Sequence, residues 1–186
     1  MSDSGRPKSL PPFPSGYRAS GLLLHITSLP SPYGIGDLGP PALAWIDRLH
    51  GAGQGWWQVL PVGPTGYGNS PYQSLSSFAG NSLFISPACL ISDGLLQKDD
   101  FEYHFASNVV DYDSVIPFKE RLVQKAWAQF SAGARKDLRP AYEAFCAEQE
   151  HWLEDYALFR ALRAKYREVH YLMAGGIGSA QTRRLG

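Results

Sequence analysis

The sequence predicts an α/β fold built on parallel strands, and three stretches carry that prediction. Gly21, Leu22, Leu23, Leu24, His25 and Ile26 form a short, nearly continuous apolar run. Ala42, Trp45, Ile46 and Leu49 repeat at i, i+3, i+4, i+7, the spacing of one helix face. Trp56 to Leu60 is a second short apolar run, stopped by Pro61. A strand, a helix and a strand within roughly 40 residues make a βαβ unit with a right-handed crossover.

The first run reads as a strand buried on both faces, as in a parallel sheet. His25 within it is either a ligand contact at the strand end or a hydrogen-bonded core histidine. The loop that follows carries Gly34, Gly36 and Gly39, which spell G-x-G-x-x-G. A dinucleotide fingerprint needs a tight strand-to-helix turn and an acidic residue about 20 positions on. Pro30 and Pro32 intervene here, and no carboxylate lies between Asp47 and Asp93. The glycines therefore serve turn geometry. Pro40 and Pro41 open the helix, because proline fits the first turn. Gly51 and Gly53 end it.

The loop 61–82 then leaves the carboxyl end of a parallel strand, where α/β folds bind ligands. It lies in a 44-residue window, 49–92, with no Asp, Glu, Lys or Arg. That window carries Gln54, Gln58, Asn69, Gln73 and Asn81 beside Trp56, Trp57, Tyr67, Tyr72, Phe78 and Phe84. Neutral amides and hydroxyls donate and accept hydrogen bonds, and aromatic faces stack on flat apolar surfaces. The combination suits a neutral, hydroxyl-rich ligand such as a sugar. A turn-rich loop that merely covers a core remains the alternative on composition.

Asp93-Gly94 is a turn, and 95–112 reads as irregular. Phe118, Leu122, Ala126, Trp127 and Phe130 predict a helix over about 117–131, stopped by Gly133. Pro140 starts a longer helix through Leu162, with acids first and bases last, as the helix dipole favours. The adjacent Glu154 and Asp155 point about 100° apart on a helix and read as solvated charge, not as an acid/base pair. Residues 1–17, with Pro7, Pro11, Pro12 and Pro14, read as a disordered tail.

The chain has 186 residues, 17 basic and 17 acidic, and zero formal net charge. This balance argues against nucleic acid or an anionic membrane as partner. No run reaches the roughly 18 apolar residues of a membrane span. Cys89 and Cys146 fit no metal spacing and read as two free, buried thiols. A soluble cytoplasmic protein with no cofactor is expected.

Several motifs together carry a family resemblance: residues 20–32 (SGLLLHITSLPSP), 34–39 (GIGDLG), 57–73 (WQVLPVGPTGYGNSPYQ), 77–81 (SFAGN) and 152–162 (WLEDYALFRAL). In this order they closely resemble the amylomaltases, the 4-α-glucanotransferases or disproportionating enzymes of glycoside hydrolase family 77. The likeness spans about 18–172. It implies a (β/α)8 barrel that transfers α-1,4-glucan segments to glucose or glucan acceptors with retention. An Asp nucleophile and a Glu acid/base would act through a covalent glycosyl-enzyme, their carboxyls roughly 5–5.5 Å apart. A further Asp would assist the distorted sugar. None of the three matches a residue of this chain.

Substrate binding is what the resemblance carries over. Tyr72 matches the tyrosine that stacks on the sugar at the cleavage point, Ser70 a donor-glucan contact, and Tyr67 an aromatic that meets glucan chains. Asn69 stands where relatives often have Asp. The partners implied are α-1,4-glucans: maltooligosaccharides, or starch and glycogen dextrins. Residues 18–92 would be the first βαβ unit and 93–172 a largely helical insertion after strand two, so the fold expected is the incomplete N-terminal part of the barrel. A full barrel needs about 250 residues. The chain is therefore expected to lack transferase activity alone, leaving a glucan-binding fragment or a functionless remnant as alternatives. Residues 173–186 match no family pattern. A shifted reading frame of codons compatible with 173–184 yields a family-like Trp-Arg-Gly-Glu-Leu-Val-Gln-Arg-Arg. A frameshift after Leu172 is expected on that ground, and DNA sequencing across the region tests it.

Overall fold

A computed structural model describes residues 16–100, 104–106 and 108–166. Most of the expected disordered tail and all of the expected frameshifted segment lie outside the described residues.

Strand β1 (Gly21–Leu23) and strand β2 (Trp56–Gln58) pair in parallel, with Gly21 opposite Trp56, Leu22 opposite Trp57 and Leu23 opposite Gln58. Helix α1 (Pro40–Gly51) connects them. This is the βαβ unit the pattern predicts. Both strands are shorter than expected, and the first is not buried on both faces. Leu22 is 47% and Leu23 60% exposed. Among the described residues the sheet has two strands. The apolar run instead turns at its end into a 3-10 helix, Ile26–Ser28, which sinks Ile26 into the core.

That core is Ile26, Leu29, Ala42 and Phe84, with Leu24, Trp45, Trp57 and Val59 packed against it. Trp57 also donates its indole N–H to the Leu24 carbonyl at 2.7 Å, tying the second strand to the first. The α1 face follows the predicted spacing, except that Ile46 is exposed. Helix α2 (Pro87–Ser92), which no sequence pattern announces, starts on a proline and ends before Gly94, whose φ is +71°.

Helix α3 (Tyr112–Ser131) begins five residues before its predicted start. Pro117 looks like a first-turn residue but lies in the second turn. The cap is Asp111, whose carboxylate accepts the Asp113 N–H at 3.2 Å and the Ser114 hydroxyl at 2.6 Å. The helix buries Val115, Phe118, Leu122, Ala126 and Phe130, the last four against Leu95 and Leu96. Each of the larger ones, Val115, Phe118, Leu122 and Phe130, contributes roughly 1.5–3 kcal/mol. The single helix predicted from Pro140 is two, α4 (Arg139–Glu148) and α5 (Glu150–Lys165), separated at Gln149. Gln149 has φ −103° and ψ 9°, off the helical basin, and no glycine or proline marks the break. Glu154 and Asp155 are exposed on α5, as expected. The cysteines are free, but Cys89 is exposed and Cys146 half-buried, so the reading of two buried thiols is corrected. No described helix is long and apolar enough to cross a membrane.

Candidate functional site

The glycines after β1 are there for close approach as much as for turns. A Cβ on Gly36 would stand 2.0 Å from the Ile26 carbonyl oxygen. One on Gly39 would stand 2.1 Å from the Ser86 hydroxyl. Only hydrogen fits at these two positions. Gly34 has φ +78° and so also supplies a turn.

Loop 61–82 is closed by backbone bonds rather than by a core of its own. The Asn81 N–H donates to the Val62 carbonyl at 2.8 Å, and the Leu75 N–H to the Pro64 carbonyl at 3.0 Å. Thr65 and Ser74 form an antiparallel bridge above them. Gly68 and Asn69 both take left-handed backbone, φ 66° and 55°, which glycine and asparagine tolerate best. The chain then turns again, with the Gln73 N–H donating to the Ser70 carbonyl at 3.2 Å and the Tyr72 N–H to the Ser70 hydroxyl at 3.3 Å.

This geometry pushes two aromatic rings outward. Tyr67 is 80% and Tyr72 72% exposed. Ser70 is half-buried beside Tyr72. Tyr67 and Asn69 line a cavity of about 920 Å³ together with Thr65, Asn81, and residues of α3 and α5. Tyr72 and Ser70 are not among its lining residues, so the three predicted contacts share one loop but not one hollow. The opposite wall is charged: Lys119, Glu120, Arg160 and Arg163. Arg160 stands 3.9 Å from Glu120. Glu120 is the one carboxylate in the lining. A retaining glycosyl transfer needs two, so this hollow holds no catalytic pair among the described residues.

Three other aromatics of the uncharged window make contacts within the protein. Phe84 is buried, and Trp57 is bonded to β1. Phe78 stacks on Trp152 with centroids 5.9 Å apart, joining the loop to α5. His25 packs edge-on to Phe84 at 5.6 Å, its Nδ1 has no partner, and burial pushes its pKa below the ordinary value. The half-buried ring thus packs against a core residue, without the hydrogen bond a core histidine was expected to have at that nitrogen.

One buried cluster has no counterpart among the sequence expectations. Asp37 and Lys119 are each 2% exposed and form an ion pair at 3.3 Å. Lys119 also donates to the Ile85 carbonyl at 2.7 Å, and Asp37 accepts the Gly39 N–H at 3.0 Å. Burial lowers the Lys119 pKa, and Asp37 counters the shift. The signal was present: Lys119 sits four residues after Val115, inside an apolar stripe. A lysine there requires a buried acid.

The profile of the glycoside hydrolase family described as 4-alpha-glucanotransferase matches residues 24–173. The chain belongs to that family. It is 46% identical over 149 residues to a 4-alpha-glucanotransferase of Thermus thermophilus, covering 80% of this chain and 29% of the relative. A Synechocystis 4-alpha-glucanotransferase is 45% identical over 148 residues, covering 78% and 29%. A chloroplastic/amyloplastic 4-alpha-glucanotransferase of Solanum tuberosum is 41% identical over 155 residues, covering 80% and 27%. Among solved structures, an amylomaltase from Streptococcus agalactiae in complex with acarbose superposes with a TM-score of 0.74 at 38% identity, covering 81% of this chain and 30% of that one. The chain thus spans under a third of the length of the relatives it matches.

Proposed function

We propose that this chain supplies one wall of the glucan-binding cleft of a 4-α-glucanotransferase. In this reading β1, α1 and β2 are the first unit of a (β/α)8 barrel. Residues 93–166 belong to a helical insertion after its second strand. Tyr72 stacks on the sugar at the cleavage point, Ser70 contacts the donor glucan, and Tyr67 contacts the glucan chain from the same loop. The substrates are α-1,4-glucans such as maltooligosaccharides and starch or glycogen dextrins. Transfer to a glucose or glucan acceptor proceeds with retention through a covalent intermediate, on carboxylates that this chain does not contribute.

The observation that carries the reading is the pair of outward tyrosines on a charge-free loop at the carboxyl end of β2. An exposed ring costs apolar surface in water unless something covers it. A pyranose has a flat C–H face to stack and hydroxyls that match Asn69, Ser70 and Gln73. Such a wall binds and orients, but proton transfer and nucleophilic attack need the two carboxyls.

Two assays on the purified chain test this. Titration with maltoheptaose should give saturable binding, and incubation with maltotriose should give no disproportionation. Absence of binding would refute the loop's role. Transfer by the chain alone would refute the location of the carboxylates.

A further inference from the structure

We infer that Lys119 is a positioning residue for the glucan loop, acting through the Ile85 carbonyl. The inference rests on the glucan reading of the loop and extends it to a residue that touches no sugar in that reading.

The bonds run in sequence. Asn81 closes the loop's exit onto its entry at Val62, and its side-chain oxygen accepts the Leu83 N–H at 3.0 Å. The Phe84 N–H donates to the Asn81 carbonyl at 3.0 Å, and the Phe84 carbonyl accepts from Leu38 at 3.0 Å. One residue on, the Ile85 carbonyl is held by Lys119 at 2.7 Å. Asp37, one residue before Leu38, holds the same ammonium from the other side. The exit arm 81–86 is therefore pinned between the loop after β1 and helix α3.

A buried ion pair is a poor device for stability alone. Desolvating both charges offsets most of their attraction, and a neutral pair of similar shape often serves as well. What an ammonium adds is direction: it satisfies a part-buried carbonyl and a buried carboxylate at once. The carbonyl it selects is the one that ends the loop's exit arm. A slip of that arm would move Asn81, a lining residue of the cavity, and with it the closure of the loop that presents Tyr67 and Tyr72.

The test compares the wild-type chain with the double variant Asp37→Asn/Lys119→Met. Asparagine keeps an acceptor for the Gly39 N–H, methionine keeps most of the lysine stem, and no unpaired charge is left behind. The variant removes the hold on Ile85. The melting temperature should stay close to wild type. Amide exchange at Asn81, Leu83 and Phe84 should rise about tenfold, and maltoheptaose affinity should fall about tenfold. Amides in the middle of α3 should be unchanged. Unchanged exchange at 81–84 overturns the inference, as does faster exchange with unchanged affinity. A double variant that loses its cooperative melt makes the pair general scaffold and also overturns it. If the wild-type chain binds no maltoheptaose, the glucan reading fails separately. The exchange rates then decide whether Lys119 anchors the arm.

Discussion

Tyr72→Ala separates a binding ring from a structural one. Tyr72 is 72% exposed, so only about a quarter of its surface touches the protein. A fully buried tyrosine covers roughly 150–250 Å². Truncation then removes about 50 Å² of packed surface, worth at most ~1 kcal/mol at ~25 cal/mol per Å². For a chain of this size that lowers the melting temperature by about 2–4 °C or less. A pyranose stacked on one face would cover about 75 Å² more, close to 2 kcal/mol, or roughly thirtyfold in Kd. Calorimetric titration with maltoheptaose, beside a thermal melt, reads both quantities. Tyr72→Phe keeps the ring and should retain most of the affinity. Equal affinity of wild type and Tyr72→Ala would refute the stacking argument. So would an affinity loss accompanied by a large fall in melting temperature, since the ring would then be part of the scaffold.

Gly36→Ala should destabilise by about 2–4 kcal/mol, because the new methyl meets backbone atoms of Ile26 and Leu29 and strains the Gly36 N–H bond to Thr27. Gly51→Ala, with nothing within 4 Å of its Cβ, should be neutral or stabilising by up to about 1 kcal/mol. Chemical denaturation of the two variants checks the contrast, and equal effects would contradict the close packing after β1. Burial lowers the His25 pKa from 6.5, so below that pH the unfolded chain binds more protons and stability falls as pH drops. His25→Gln should flatten that slope between pH 7.5 and about 5.5 in thermal melts. Asp100, Asp111 and Asp137 are lowered from 3.8 by hydrogen bonds, so their stabilisation is lost only at more acid pH.

Local chemistry was legible where one residue type has one use. Pro40 at a helix start, Gly133 after a helix end, the turn at Asp93-Gly94 and the spacing of Ala42, Trp45 and Leu49 all matched the structure. The start of α3 was placed five residues late because it was read from the apolar repeat that begins at Phe118, and the cap at Asp111 lies outside that repeat. The break at Gln149 had no local signal. Turn geometry alone does not explain the glycines of 34–39. All three are set by close approach of atoms from other segments, Phe105 and Val115 at Gly34, Ile26 and Leu29 at Gly36 and Ser86 at Gly39, which a local pattern does not contain. Tyr67, Ser70 and Tyr72 were legible as one loop. That Tyr67 faces a cavity walled by α3 and α5 was not, since those helices come about 50 to 100 residues later in the sequence.

The charge-free window and the charged helices fit one scheme. Loop 61–82 has few buried residues, Pro64, Ala79 and Asn81 among them, so backbone bonds fix its shape. Charged side chains on such a loop would pull it toward whichever counter-charges the helices offer. The helical wall instead compensates much of its own charge. Lys119 is held by Asp37, and Glu120 faces Arg160. The neutral loop is thereby left to geometry. A neutral polyol gains little from net charge and much from donors, acceptors and rings already in position. The residues that matter for such a ligand therefore include some that act from behind the loop. Gly39 and Lys119 act on its exit arm, Gly39 through the close approach of Ser86 and Lys119 through the Ile85 carbonyl. Tyr67 and Tyr72 can point outward because that backbone is fixed from behind.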